Sequence, residues 1–118
     1  MNEAYKARQE LLKFCGNRRY AAIEGLPAAI GKLCVQSITE FERNEILKAC
    51  EGDAGLMRPL MIAYSIVDAE GIRVFGDQDV SKIQEMDVAI TNSLAEAAEL
   101  HCGFMDTESE QVEEVAKN

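Results

Sequence analysis

Residues 60–100 read LMIAYSIVDAEGIRVFGDQDVSKIQEMDVAITNSLAEAAEL, and the architecture turns on them. The stretch opens at the end of an almost wholly apolar run, residues 56–67, interrupted only by Arg58, Pro59 and Ser65. Such a run predicts a helix surrounded by other elements, since a helix apolar on all sides is normally a central core helix. Pro59 fits only in the first turn, where its missing N–H has no helical partner to lose, so the helix is expected to start close to it. Asp68-Ala69-Glu70-Gly71 then reads as a turn, and residues 72–75 as a short extended piece with Phe75 plugging the core. Asp77 is expected to cap a helix running to residue 85 or 86, with Asp79 at its positive end and Val80 and Ile83 inward. Asp87 should cap a last helix over residues 88–102. Its face would carry Ile90, Leu94, Ala97 and His101, with Val88, Thr91, Ala95 and Ala98 beside them, and Gly103 would stop it.

The apolar run allows a second reading, in which one side is core and the other meets a partner or another copy. Met57 and Met61 lie four residues apart, and flexible thioethers suit a malleable contact. Met57, Leu60, Met61 and Tyr64 are therefore the candidate partner-binding residues.

Upstream, Thr39-Glu40-Phe41-Glu42 is a capping box: the Thr39 hydroxyl accepts from the amide three residues on, and Glu42 reaches back. It predicts a helix from residue 40 to about 50 with Ile46, Leu47 and Cys50 on one side, closed by Glu51-Gly52-Asp53-Ala54-Gly55. Residues 20–38 contain Pro27 and Gly31 between β-leaning pieces, which predicts a small hairpin. In residues 2–15, Ala4, Ala7, Leu11 and Cys15 recur at helical spacing, widened by Leu12 and Phe14, and Gly16-Asn17 is a stop. A solvated helix face explains this segment most simply, and a helix that leaves the body to dock on a partner is the alternative. The expected fold is one compact, mainly α domain of four to five helices with a small N-terminal β-hairpin. It spans residues 1–105 and is followed by a mobile acidic tail, residues 106–118, whose five acids and single Lys leave too little apolar surface to order it.

Composition narrows the function. The chain has 118 residues, 47% apolar, enough for one globular core. Its net charge of −9 is unevenly spread. Residues 1–32 hold six basic groups against three acids, a balance of +3, and the remainder holds six against eighteen, a balance of −12. Phosphate backbones and anionic lipid repel such a body, which argues against nucleic-acid and membrane partners. The four cysteines are far apart and form neither a disulfide framework nor a zinc signature, and no apolar run approaches the ~18 residues of a membrane span. A reducing cytoplasm with free thiols is the expected setting.

Catalytic and metal chemistry find no constellation. His101 and Cys102 are adjacent on a helix, so their side chains diverge by about 100°. Asp68, Glu70, Asp77 and Asp79 do not make a calcium loop: counting from Asp68, the fifth position is Ile72 and the glycine falls fourth rather than sixth. Helix caps and a turn explain these acids. No enzyme activity and no cofactor are expected.

The order of these signals resembles the tail assembly chaperones of long-tailed, lambda-like bacteriophages. The shared pieces are Leu26-Pro27 with Gly31-Lys32 and Val35; Thr39, Glu42 and Arg43; residues 63–68 with Glu70 and Gly71; Phe75; Asp77, Asp79 and Val80; and residues 94–100. The chain departs from the pattern at Gln36, where a basic residue is expected, and at Gly76, where Thr or Ser often stands. The resemblance covers about residues 20–103. It implies a non-enzymatic protein of the host cytoplasm that binds the tape measure protein, keeps it soluble, and leaves before the virion is complete. It also implies that this chain is the shorter of two products. The longer one, made by ribosomal frameshifting, would recruit the major tail tube protein. The competing class is an acidic helical adaptor, such as a DNA-mimic inhibitor of a nucleic-acid enzyme.

Overall fold

The computed structural model describes residues 2–102, and the expected acidic tail and the Gly103 stop lie outside them. Among the described residues there are five α-helices and one three-stranded antiparallel sheet. The order is α1 (Glu3–Leu12), β1 (Tyr20–Ala22), β2 (Leu33–Gln36), α2 (Glu40–Ala49), α3 (Met57–Ser65), β3 (Ile66–Asp68), α4 (Val80–Gln84) and α5 (Val88–Cys102).

α3 is the hub, and α2, α4 and α5 all pack on it. Ile62 and Ala63 are fully buried, and Ile46, Ile83, Leu94 and Ala98 close around them. Pro59 sits in the first turn of α3, as its missing N–H requires. The predicted hairpin is present: Tyr20 pairs with Gln36 and Ala22 with Cys34, and a 3-10 turn at Ala28–Ile30 lies in the connection.

The apolar helix ends earlier than the sequence suggests. Residues 66 and 67, expected as its last turn, form β3 together with Asp68, with Val35 opposite Ile66 and Cys34 opposite Val67. β-Branched Ile66 and Val67 suit a strand, and the free edge of β2 supplies ladder partners that only the folded chain brings there. The extended piece after the turn adds to the other edge of β3, where the Val74 amide donates to the Ile66 carbonyl at 3.1 Å. Gly71, at φ +85°, takes the left-handed corner of that turn. Asp68 stabilises the corner, its Oδ1 accepting from the Glu70 and Ile72 amides at 2.8 and 3.0 Å.

Capping follows the acids, with one correction. Thr39 and Glu42 form the expected box on α2, and Asp87 accepts from the Ala89 amide at 2.8 Å at the start of α5. Asp77 is not the cap of the next helix. Asp79 accepts from the Gly76 amide at 2.8 Å, and Asp77 instead meets Arg73 at 3.1 Å. The helix expected over residues 77–86 opens with a 3-10 turn at Asp77–Asp79, and only Val80–Gln84 is α-helical. Gln36, the departure noted above, is buried and donates from Nε2 to the Tyr64 carbonyl at 2.9 Å.

Candidate docking surface

The four residues singled out on α3 do not make a surface. Leu60 and Met61 are buried within the core, and Met57 and Tyr64 are half-buried against it. Arg73 covers Tyr64, its guanidinium 4.7 Å from the ring centre while its Nε donates to the Ala63 carbonyl. The partner-facing reading of α3 is therefore corrected: neighbours cover its apolar residues, because the helix lies inside a shell of other elements.

Large apolar residues are left uncovered at several places, among them Ile72, Val88 and Leu100, and three of them, Leu11, Phe14 and Phe41, gather around one cleft. α1 buries none of its residues. It is capped at its start by Asn2, whose side chain accepts from the Tyr5 amide at 2.8 Å. It ends at Leu12, and Gly16 then turns the chain at φ +76°. Leu11 and Phe14 remain 68% and 71% exposed. Opposite them stands Phe41, 72% exposed. Phe41 lies five residues before Ile46, about 140° around α2 from that buried side chain, so it cannot reach the core. Ile38 is half-buried beside it. Together these residues line a cleft of about 510 Å³, with Arg18 and Arg19 also in its lining.

Arg18 and its neighbours hold the two walls together. The Arg18 guanidinium donates to both carboxylate oxygens of Glu42, at 2.6 and 3.1 Å, and to the Ser37 carbonyl at 3.0 Å. The backbones of Arg19 and Ser37 are linked as well, the Ser37 amide donating to the Arg19 carbonyl at 2.9 Å. Glu42 thus serves both its own helix cap and the anchor of the α1 segment. Burial works against ionisation of Glu42, but hydrogen bonds from Arg18 and from the Thr39 amide outweigh it. Its carboxyl is held below the ordinary glutamate value. The hydrogen bond to Glu42 raises the Arg18 pKa in turn. Arg19 reaches the end of α5, donating to the His101 carbonyl at 2.8 Å. The C-terminal end of α5 therefore lies within side-chain reach of the cleft.

Phe41 was visible in the sequence only as the third residue of a capping box. Its place opposite the buried stripe of α2 is the signal that marks it. For α1 the sequence offered a solvated face or a docking helix, and the structure leaves an apolar stripe on it uncovered.

The reactive side chains sit in quiet surroundings. Cys102 donates from Sγ to the Gln36 carbonyl at 3.3 Å, and burial pushes its thiol up to about 11. Among the described residues no three His, Cys, Asp or Glu side chains converge as a metal site requires. No helix among them is long and apolar enough to cross a membrane. Protein-family models, curated proteins and solved structures contain no match to this chain.

Proposed function

We propose that this protein is a non-enzymatic phage tail assembly chaperone, and that the cleft between α1 and the start of α2 is where it holds its client. One observation carries the placement: among the exposed large apolar residues, Leu11, Phe14 and Phe41 are brought together around one cleft of about 510 Å³. An uncovered apolar patch of this kind marks a protein-docking surface. The resemblance in the order of motifs supplies the client. A tape measure protein is a long helical chain whose apolar faces aggregate when bare. Laying such a face into the cleft covers it in the helix-in-groove manner. The charge of −9 keeps the loaded assembly dispersed. Many weak copies along one rod hold by avidity yet remain displaceable by the polymerising tail tube. This reading places the protein in the host cytoplasm, outside the finished virion, with the longer frameshifted product recruiting the tube protein.

The DNA-mimic alternative needs a rigid row of free carboxylates. Glu42, Asp68, Asp79 and Asp87 instead accept from backbone amides of their own caps and turn.

The test is co-expression with the tape measure protein. The wild-type chain is expected to keep it in the soluble fraction. A Leu11→Asp/Phe41→Asp variant is expected to fail while its own melting temperature is unchanged, because both side chains are exposed. An insoluble tape measure protein beside wild-type chaperone refutes the function. Full protection by the double variant refutes the site.

A further inference from the structure

α1 is a ten-residue helix that buries none of its residues. Isolated helices of that length are marginal in water, and most helical stability in proteins comes from packing an apolar face on something else. α1 has such a face. At about 100° per residue, Ala4, Ala7 and Leu11 fall within about 60° of one another, and Phe14 extends the stripe through the turn that follows. Leu11 and Phe14 also line the cleft, whereas Ala4 and Ala7 are not part of its lining. The stripe therefore runs on past the cleft.

That stripe is complementary to itself in one orientation. Its small side chains stand at the start of the helix and its large ones at the end. Two such helices laid antiparallel, with Arg8 of one beside Arg8 of the other, put Leu11 of each between Ala4 and Ala7 of the second copy. Ala4 in turn sits between Leu11 and Phe14 of the second copy. A parallel pair would instead set Leu11 against Leu11 and Phe14 against Phe14. Charge follows the antiparallel register. Glu3, Lys6, Glu10 and Lys13 run along one flank of α1 with alternating sign. Antiparallel helices turn like flanks toward each other, so Glu3 meets Lys13 and Lys6 meets Glu10, each contact made twice by the two-fold symmetry. The other flank brings Arg8 beside its own symmetry mate, one like-charge contact against four opposite ones. The Glu10–Lys13 pair within one helix is 2.9 Å long, but both side chains are largely exposed, so it holds neither back.

The charge of the whole molecule favours contact at this end. Each copy carries −9, yet residues 1–32 sum to +3 and the remainder to −12, so two copies repel least where their N-terminal segments meet. The contact is small. A helix of this length is about 15 Å long and 10 Å wide, and its face falls short of the roughly 800 Å² per partner of a standard interface. A dimer built on it is weak, with a Kd on the order of 10–100 µM. We infer that α1 pairs antiparallel with α1 of a second copy, making a reversible two-fold dimer around Ala4, Ala7, Leu11 and Phe14. Its meaning for the client rests on the cleft as client site: Leu11 and Phe14 belong to both surfaces, so a client and a second copy exclude each other.

Sedimentation velocity on the full-length protein reads this equilibrium, at concentrations from about tenfold below to about tenfold above that Kd. A reducing agent keeps exposed Cys15 from linking copies. Wild type is expected to pass from monomer to dimer across the range. Lys6→Glu and Glu10→Lys each turn two attractive contacts into two like-charge ones. With a factor of about two per surface pair, each is expected to weaken the dimer roughly tenfold. An equimolar mixture of the two variants restores every opposite-charge contact and is expected to dimerise at least as well as wild type. Mixing cannot repair a helix weakened by repulsion within its own chain, so this arm separates pairing from a structural loss. A wild type that stays monomeric throughout overturns the inference. A dimer indifferent to both single variants overturns it too, since the contact then lies elsewhere, as does a mixture no more associated than its components. No tape measure protein enters the measurement, so the dimer and the chaperone reading can each fail without the other.

Discussion

Replacing Glu42 with Gln should loosen the α1 anchor at the start of α2. The Glu42 carboxylate accepts from Arg18 twice, at 2.6 and 3.1 Å, and from the Thr39 amide at 2.9 Å. Its side chain is 17% exposed and that of Arg18 29%. Gln can still accept from the Thr39 amide, so the capping box is kept and the loss falls on the Arg18 pair. Removing the charge from a bidentate, partly buried pair costs about 1–2 kcal/mol at pH 7, toward the low end because water still reaches both groups. For a folded body of roughly 100 residues this lowers Tm by about 4–15 °C. The pH dependence carries the sharper test. The folded-state pKa of Glu42 is depressed, so its contribution is fully present above the unfolded value near 4.3 and is lost as pH falls through the lower folded value. Thermal melts followed by circular dichroism at pH 7 and at pH 2–3 should therefore show a variant deficit that is large at neutral pH and shrinks in acid. Arg18→Ala should cost a similar amount, and the double variant should show coupling of about 1 kcal/mol rather than additivity. A Glu42→Gln protein melting within a degree or two of wild type at pH 7 refutes the anchor. An equal deficit at both pH values refutes the ionic origin.

Three further outcomes follow from the packing and the thiols. Met61→Asp is expected to leave the chain unfolded or insoluble, since Met61 is 3% exposed and an unpaired carboxylate there has no partner; a well-folded variant by circular dichroism contradicts the core assignment. Ile62→Ala, at the fully buried centre of α3, should cost about 2–5 kcal/mol in urea unfolding without changing the m-value, and a loss below 1 kcal/mol would mean that the site collapses around the gap. Cys102 should be the slowest thiol to alkylate in the folded protein, because at pH 8 a pKa of about 11 leaves only about one molecule in a thousand as thiolate; its rate should climb steeply above pH 9.

The local signals were legible because their partners are three or four residues away. Thr39 and Glu42 announce the start of α2, Asp87 that of α5, and Pro59 the first turn of α3, each through bonds within its own helix turn. The Pro27/Gly31 punctuation likewise marked the hairpin. The cap at Gly76 was misassigned between two acids two residues apart. Both suit a helix start, and only the geometry shows Asp79 reaching the amide while Asp77 turns to Arg73.

By itself the sequence determined a mainly helical domain with a hairpin, an apolar hub at residues 56–67, and acids consumed in caps and turns. The tertiary structure decided where that hub stops and what remains uncovered. Ile66 and Val67 leave the helix because β2 offers them an edge, and that edge exists only after residues 33–36 have folded back. Leu60 and Met61 became core, and Leu11, Phe14 and Phe41 became surface, although all five are large apolar residues at helical spacing. Periodicity tells which side of a helix is apolar. Whether another element comes to cover that side depends on contacts such as Arg18 to Glu42, twenty-four residues apart, and Arg19 to His101, eighty-two apart. Those pairings are properties of the assembled fold, and they place the exposed cleft at the junction of α1, α2 and the end of α5.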